Sequence, residues 1–323
     1  RTRSRRWARA SRTVRSDALN NRGQVYAATG ADISAQESLH NAGLLASGGA
    51  LTLTTGTLTQ TDSAELSASG ALAITAGTIA NAGKLIGEQG VTITAFDLDN
   101  AGLVAGQGDV HVSLTGMLTN TGQLQAQGIF GLLVAHLDNR ASLFAGHGLS
   151  VTASGAIANR GRLDSRGAIT LTGASIDSTG AISTAGDVTL AAVGVLANGG
   201  DVQGRHLTPS ADRIDQTGRL LGSGDVQLTA RVLANRGQIA AGLISEGDQA
   251  GGLDRTAPGL FVRHRMAEHG QQAVALHAHD GAAPARHGFL VGDAQHGQQR
   301  GVLLGLHGAG QFGRARQVGE QQR

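Results

Sequence analysis

Several groups of residues in this chain have types and spacings that chemistry could use. Asp97 with Asp99, and Asp212 with Asp215, are acid pairs of the kind glycoside cleavage needs, one member protonating the leaving group while the other attacks or activates water. His277-Ala278-His279 would set two imidazoles on one face of a strand. Seven of the twelve histidines (His264, His269, His277, His279, His287, His296 and His307) crowd the C-terminal part, a composition that suits metal binding. Gly308-Ala309-Gly310-Gln311-Phe312-Gly313 fits the glycine spacing of a dinucleotide-binding turn and follows the apolar Val302-Leu303-Leu304. Gly106-Gln107-Gly108-Asp109 and Gly222-Ser223-Gly224-Asp225 are like pieces of calcium-binding β-rolls. The opening run Arg1-Thr2-Arg3-Ser4-Arg5-Arg6-Trp7-Ala8-Arg9 offers cations for phosphate and one aromatic for stacking.

Each of these groups has a plainer reading. The histidines after His264 are irregularly spaced, and no carboxylate recurs beside them. Ten residues follow Gly313, too few for the helix, second strand and acid that a dinucleotide fold requires. Calcium β-rolls repeat every nine residues or so, whereas the period here is near twenty. The aspartates are explained by solvated corners, and a sugar groove is hard to build where Tyr26 is the body's one Tyr or Trp platform. No nucleophile elbow and no His-Glu-x-x-His pattern is present. The sequence therefore assigns no catalytic, cofactor-binding or metal residue, and nucleic acid is not an expected partner.

Composition bounds the alternatives. Fifty of 323 residues are glycine, 15 % are charged and 40 % are apolar, but only 2 % are aromatic, so the core must be aliphatic and built from small side chains. Three prolines and no Gly-X-Y period exclude a collagen triple helix, and the absence of cysteine excludes disulfides and thiolate chemistry. Charge is uneven along the chain. Residues 1–15 hold seven arginines and no acid, residues 16–246 hold 11 basic and 18 acidic side chains, and residues 247–323 hold 8 and 6.

What positions the body of the chain is a repeat. Leu19-Asn20-Asn21-Arg22-Gly23 returns as Leu39-His40-Asn41-Ala42-Gly43, Ile79-Ala80-Asn81-Ala82-Gly83 and Leu98-Asp99-Asn100-Ala101-Gly102. It continues through Asn120, Asn139, Asn159, Asn198 and Asn235, with Thr61, Ser178 and Gln216 read as degenerate anchors, at spacings of 18 to 20 residues. Before each anchor runs an alternating segment such as Leu51-Thr52-Leu53-Thr54 or Val91-Thr92-Ile93-Thr94, and after it a shorter one such as Gly102-Leu103-Val104-Ala105. Period two with β-branched residues means strand. Glycine corners such as Ser47-Gly48-Gly49 are read as supplying positive φ.

A twenty-residue unit of short strands cannot bury its apolar face alone, but stacked copies can. The expected fold is all-β: a right-handed parallel β-helix of about twelve coils with irregular ends, roughly 55 Å long at about 4.8 Å per coil. A β-sandwich would need hairpins and variable spacing. The asparagines Asn21, Asn41, Asn81, Asn100, Asn120, Asn139, Asn159, Asn198 and Asn235 are expected to form a structural ladder, since an amide both donates and accepts. Pro209 falls in the shortest spacing, where a distorted coil or loop is expected. The chain divides into a basic, disordered arm (1–16), the β-helix (17–246) and a His/Gly/Gln-rich tail (247–323) read as disordered or as sequence foreign to the repeat.

These units resemble the haemagglutinin repeats of the filamentous haemagglutinin family of two-partner-secreted proteins of Gram-negative bacteria, over about residues 17 to 246. The resemblance implies a secreted or surface-displayed shaft that passes through an outer-membrane transporter and serves adhesion, its partner a host or neighbouring-cell receptor or glycan. Related shafts carry contact-dependent growth-inhibition toxins. The family's amino-terminal secretion domain and a toxin domain are not seen, so an interior portion is expected. The competing enzymatic reading, a β-helical polysaccharide lyase or hydrolase, would need loops inserted at one side of several coils, and the near-constant spacing leaves no room for them.

Overall fold

A computed structural model describes residues 6–8, 12–242, 260–264 and 302–304, with side-chain surroundings over 12–242. Every described element is a β-strand. A central coil shows the unit: Gly90–Ala95 on one face, Asp97–Asn100 after a bend, then Leu103–Gly106 on a return face. In some coils the first two strands run together, as in Ala50–Gln60 and Val226–Asn235. Each strand pairs in parallel with its equivalents one coil below and above, so Val91 lies between Leu72 and Val110, and Val104 between Leu85 and Leu124. Twelve coils stack this way between Arg12 and Ala241, a parallel β-solenoid. All pairings within 12–242 are parallel, which excludes the hairpins of a sandwich. Among the described residues one pair is antiparallel, joining Leu260–His264 to Val302–Leu304, and Leu260–His264 in turn pairs in parallel with Val226–Ala230.

Alternation decides what is buried. Ala50–Gln60 hides Leu51, Leu53, Thr55, Leu58 and Gln60 and turns its threonines at 52, 54 and 59 outward. Repetition one coil apart turns these positions into continuous aliphatic columns, among them Leu58, Ile79, Leu98, Leu118, Leu137, Ile157, Ile176, Leu196 and Ile214, each at most 2 % exposed. At about 1.5–3 kcal/mol for each large aliphatic side chain taken out of water, these columns are the main stabilising term. Small side chains suffice because the coil is thin; Phe130 is the one fully buried aromatic among the described residues.

Three expectations are corrected. The corner glycines do not supply positive φ; among the described residues only Gly90 (143°) and Gly242 (70°) have it. They are needed for close approach. A Cβ on Gly102 would stand 2.1 Å from the Gly83 carbonyl oxygen, and one on Gly48 2.2 Å from that of Ala28. Thr61 is not an anchor: Gln60 holds that place, in register with Asn41 below and Asn81 above. The corner that follows is longer, running through 61–64 to Glu65, where the Asn41 corner needs only 42–43 before Leu44. Even spacing therefore put the anchor one residue late. Pro209, finally, makes no loop. It is buried inside the unbroken strand Leu207–Gln216 and pairs with Leu190, while pairing with Val226–Asn235 lapses at Thr208 and Pro209 and resumes at Ser210. Proline has no N–H to give, and the ladder is interrupted there without the chain being expelled.

The first of the twelve coils begins at Arg12, inside the segment read as a basic arm. Arg1–Arg5, the histidines from His269 to His307 and the glycine pattern Gly308–Gly313 lie outside the described residues.

Candidate functional site

The most organised polar feature of the molecule is a column of buried carboxamides at the bend between the second strand and the return strand. The apolar residue two positions earlier points into the core, so the anchor does too, and its amide meets the amide one coil above. Asn21 Nδ2 donates to Asn41 Oδ1 at 2.8 Å, Asn41 to Gln60 Oε1 at 2.5 Å, and Gln60 Nε2 to Asn81 Oδ1 at 3.4 Å. Asn81, Asn100, Asn120 and Asn139 each donate to the next Oδ1 at 2.8 Å, ending with Asn139 on Asn159, and Asn159 donates to Ser178 Oγ at 3.2 Å.

Main-chain partners set the direction of this column. The second hydrogen of each Nδ2 goes to the carbonyl that opens the next coil's return strand, as from Asn81 to Leu103 O (3.2 Å) and from Asn120 to Ser142 O (3.2 Å). On the other side, Asn21 and Asn41 accept from the N–H groups of Gly23 and Gly43. A carbonyl can only accept and an N–H can only donate, so each amide has one orientation and all donate toward the C-terminal end. The groups are at most 5 % exposed from Asn21 to Asn198, and a buried carboxamide left unpaired costs about 1–3 kcal/mol.

The column changes after Ser178. Its hydroxyl takes the Asn159 hydrogen but does not reach Asn198, whose Oδ1 is buried without a partner. Asn198 still donates to Gln216 Oε1 at 3.0 Å, but Gln216 Nε2 and Asn235 Nδ2 are unpaired. Asn235 accepts only from the nearby Gly237 N–H. Of the nine asparagines, seven from Asn21 to Asn159 sit in one hydrogen-bonded run, Asn198 in a second, and Asn235 in neither. Gln60 was missed by reading equal spacings, although Leu58 two places earlier matches the Leu-x-Asn pattern of Leu19 and Leu39 and would have found it.

The acids are engaged elsewhere. Asp97 Oδ1 accepts from the Met117 N–H at 2.6 Å, capping the coil above, and Asp109 does the same for Ile129 at 2.7 Å. Asp212 is gripped by Arg231, and Asp215 by Arg213. Asp138, 9 % exposed, lies between Arg140 and Arg160. The Arg140 hydrogen bond holds its carboxyl below the ordinary 3.8, against a smaller opposing effect of burial, with Arg160 assisting. Asp187 beside Arg205, and Asp212 beside Arg231, are lowered in the same way. No cluster of three or more metal-ligating side chains occurs among the described residues.

The arrangement ties each coil to the next. Comparison with known proteins agrees with that character. The model for haemagglutinin repeats matches residues 7–76, 67–102, 96–141 and 131–257. Comparison with curated proteins and with solved structures finds no match. Four overlapping matches across most of the chain, on a solenoid whose coils follow the same repeat, place this protein in the haemagglutinin repeat family, a family of structural adhesins.

Proposed function

We propose that this chain is a structural shaft segment of a large secreted or surface-displayed bacterial adhesin, and that it mediates adhesion or cell contact by holding binding parts at a distance. The observation that carries this reading is the twelve-coil stack itself, in register from Arg12 to Ala241, with its polar residues spent on holding coils together. Membership of a structural adhesin family supports it. The partners that follow are an outer-membrane transporter of the two-partner type and a receptor or glycan on a host or neighbouring cell. Passage through such a pore suits a chain without cysteine, which cannot lock itself folded with disulfides before export.

Removing whole coils tests the idea. Deleting residues 90–128, two complete units, from the gene in its native bacterium should leave a secreted protein about 10 Å shorter, with attachment to host cells reduced in degree but not abolished. Attachment lost entirely, with secretion and folding intact, would place a discrete receptor site in those coils and overturn the spacer reading. Unchanged attachment combined with lost killing of neighbouring bacteria would assign the shaft to toxin delivery instead.

A further inference from the structure

The twelve coils are not equally tied to one another. From Asn21 to Ser178 every step carries a buried side-chain hydrogen bond between successive anchors. Of the two steps beyond Asn198, the first keeps the Asn198–Gln216 bond and the second has no anchor bond, and both carry cross-coil ion pairs. Arg205 holds Asp187 with two bonds of 3.0 and 3.2 Å, linking the start of the Asn198 coil to the start of the Gln216 coil, and Arg219 reaches Asp201 at 3.4 Å. Arg231 holds Asp212 with bonds of 2.8 and 3.0 Å, and His206 Nδ1 accepts the Asp225 N–H at 3.2 Å, both tying the Gln216 coil to the Asn235 coil.

Between the Ser178 and Asn198 coils there is neither. Among the described residues no side-chain hydrogen bond and no ion pair crosses this step, and Asn198 Oδ1 is left buried and unsatisfied at it. The return strands there, Ala181–Thr184 and Asp201–Gly204, pair over three residues, where their neighbours Arg162–Ser165 with Ala181–Thr184 and Asp201–Gly204 with Arg219–Gly222 pair over four. Main-chain bonds and the apolar columns do continue across: Gly199 N–H donates to Ser178 O at 2.8 Å, and Leu196 sits over Ile176. The step is therefore closed but has the fewest ties.

We infer that the shaft has a built-in seam between the Ser178 and Asn198 coils, across which the coils from Val188 to Ala241 open as one unit while those from Arg12 to Ser178 stay closed. The cause is side-chain length. An asparagine at 178 would present a hydrogen to Asn198 Oδ1, and serine ends too soon. The ion pairs beyond the seam join the last three coils to each other but not to the coils below. The seam is a property of the solenoid and is independent of what the shaft binds.

Hydrogen exchange on the full 323-residue chain, read by mass spectrometry, tests this. Amides in 188–241 should exchange together and about tenfold or more faster than those in 90–165, with a step at 179–188, since one buried amide left unpaired corresponds to roughly that factor. Ser178→Asn should slow exchange in 188–241 by about tenfold. Asn100→Ser, the reverse change inside the continuous column, should raise exchange at the Asn100 and Asn120 coils and keeps the idea testable if Ser178→Asn folds poorly. Protection that declines smoothly from the C-terminal end, or exchange in 188–241 unmoved by Ser178→Asn, would overturn the seam.

Discussion

The coils from Arg12 to Ser178 and those from Val188 to Ala241 share one backbone and are held by different forces. In the first set a buried carboxamide column runs without a break. The second set has three of the five unpartnered buried side-chain atoms among the described residues, Asn198 Oδ1, Gln216 Nε2 and Asn235 Nδ2. It also has three of the four arginine–aspartate pairs that reach from coil to coil, the fourth being Arg160 with Asp138. Exposed ion pairs are weak and screened by salt, whereas buried amides in a water-free column are costly to leave unmade. A repeat protein can thus keep its shape while exchanging an internal, condition-independent tie for an external, condition-dependent one.

The contrast is broken most severely by truncating anchors. Asn100→Ala leaves Asn81 Nδ2 without its acceptor and Asn120 Oδ1 without its donor, and should cost about 3 kcal/mol in urea unfolding. Asn198→Ala takes a partner from one neighbouring anchor, Gln216 Oε1, rather than two, and should cost about 1 kcal/mol. Equal losses would show that the column does not distinguish the two regions.

Acid should separate them next. Asp187 and Asp212 have folded-state values below the ordinary 3.8, so their contribution is fully present above that pH and is lost as pH falls through their lowered values. Asp138 titrates in the same sense, but its coil keeps the amide ties above and below. Circular dichroism during acid titration should therefore show a first, partial loss of strand signal below pH 3.8, ahead of the main transition. A single step at all wavelengths would deny the difference. Asp187→Asn should remove most of that early phase.

The smallest effect is that of salt. Raising sodium chloride to about 1 M, where the screening length falls to about 3 Å, should speed hydrogen exchange in 188–241 slightly and in 90–165 less, since the amide column there is not screened. An equal response in both would mean that the pairs Asp187–Arg205 and Asp212–Arg231 hold nothing.

Much of the architecture was legible from spacing. Leu-x-Asn-x-Gly every twenty residues, with an alternating strand before it, specifies coils because equal periods are what parallel stacking demands. The errors have one source. Even spacing points to Thr61, whereas the apolar Leu58 two places earlier points to Gln60, and a corner two residues longer defeats counting by period. At Pro209 the spacing points to a distorted coil or small loop because a proline cannot complete a ladder; the ladder does lapse there, but the strand continues past it without a loop. The Asp138 cluster and the cross-coil arginines leave no mark in the sequence, because partners 18 to 22 residues apart become adjacent only in the stacked register.

The repeat by itself determined that the chain is a stack of coils with aliphatic columns inside and amides at one bend, because period and alternation act along the chain and can be read there. Only the tertiary structure decided which amides meet. Whether Ser178 reaches Asn198, or Arg231 reaches Asp212, turns on a bond length of side chain across two coils, and that distance exists only after the coils have been stacked.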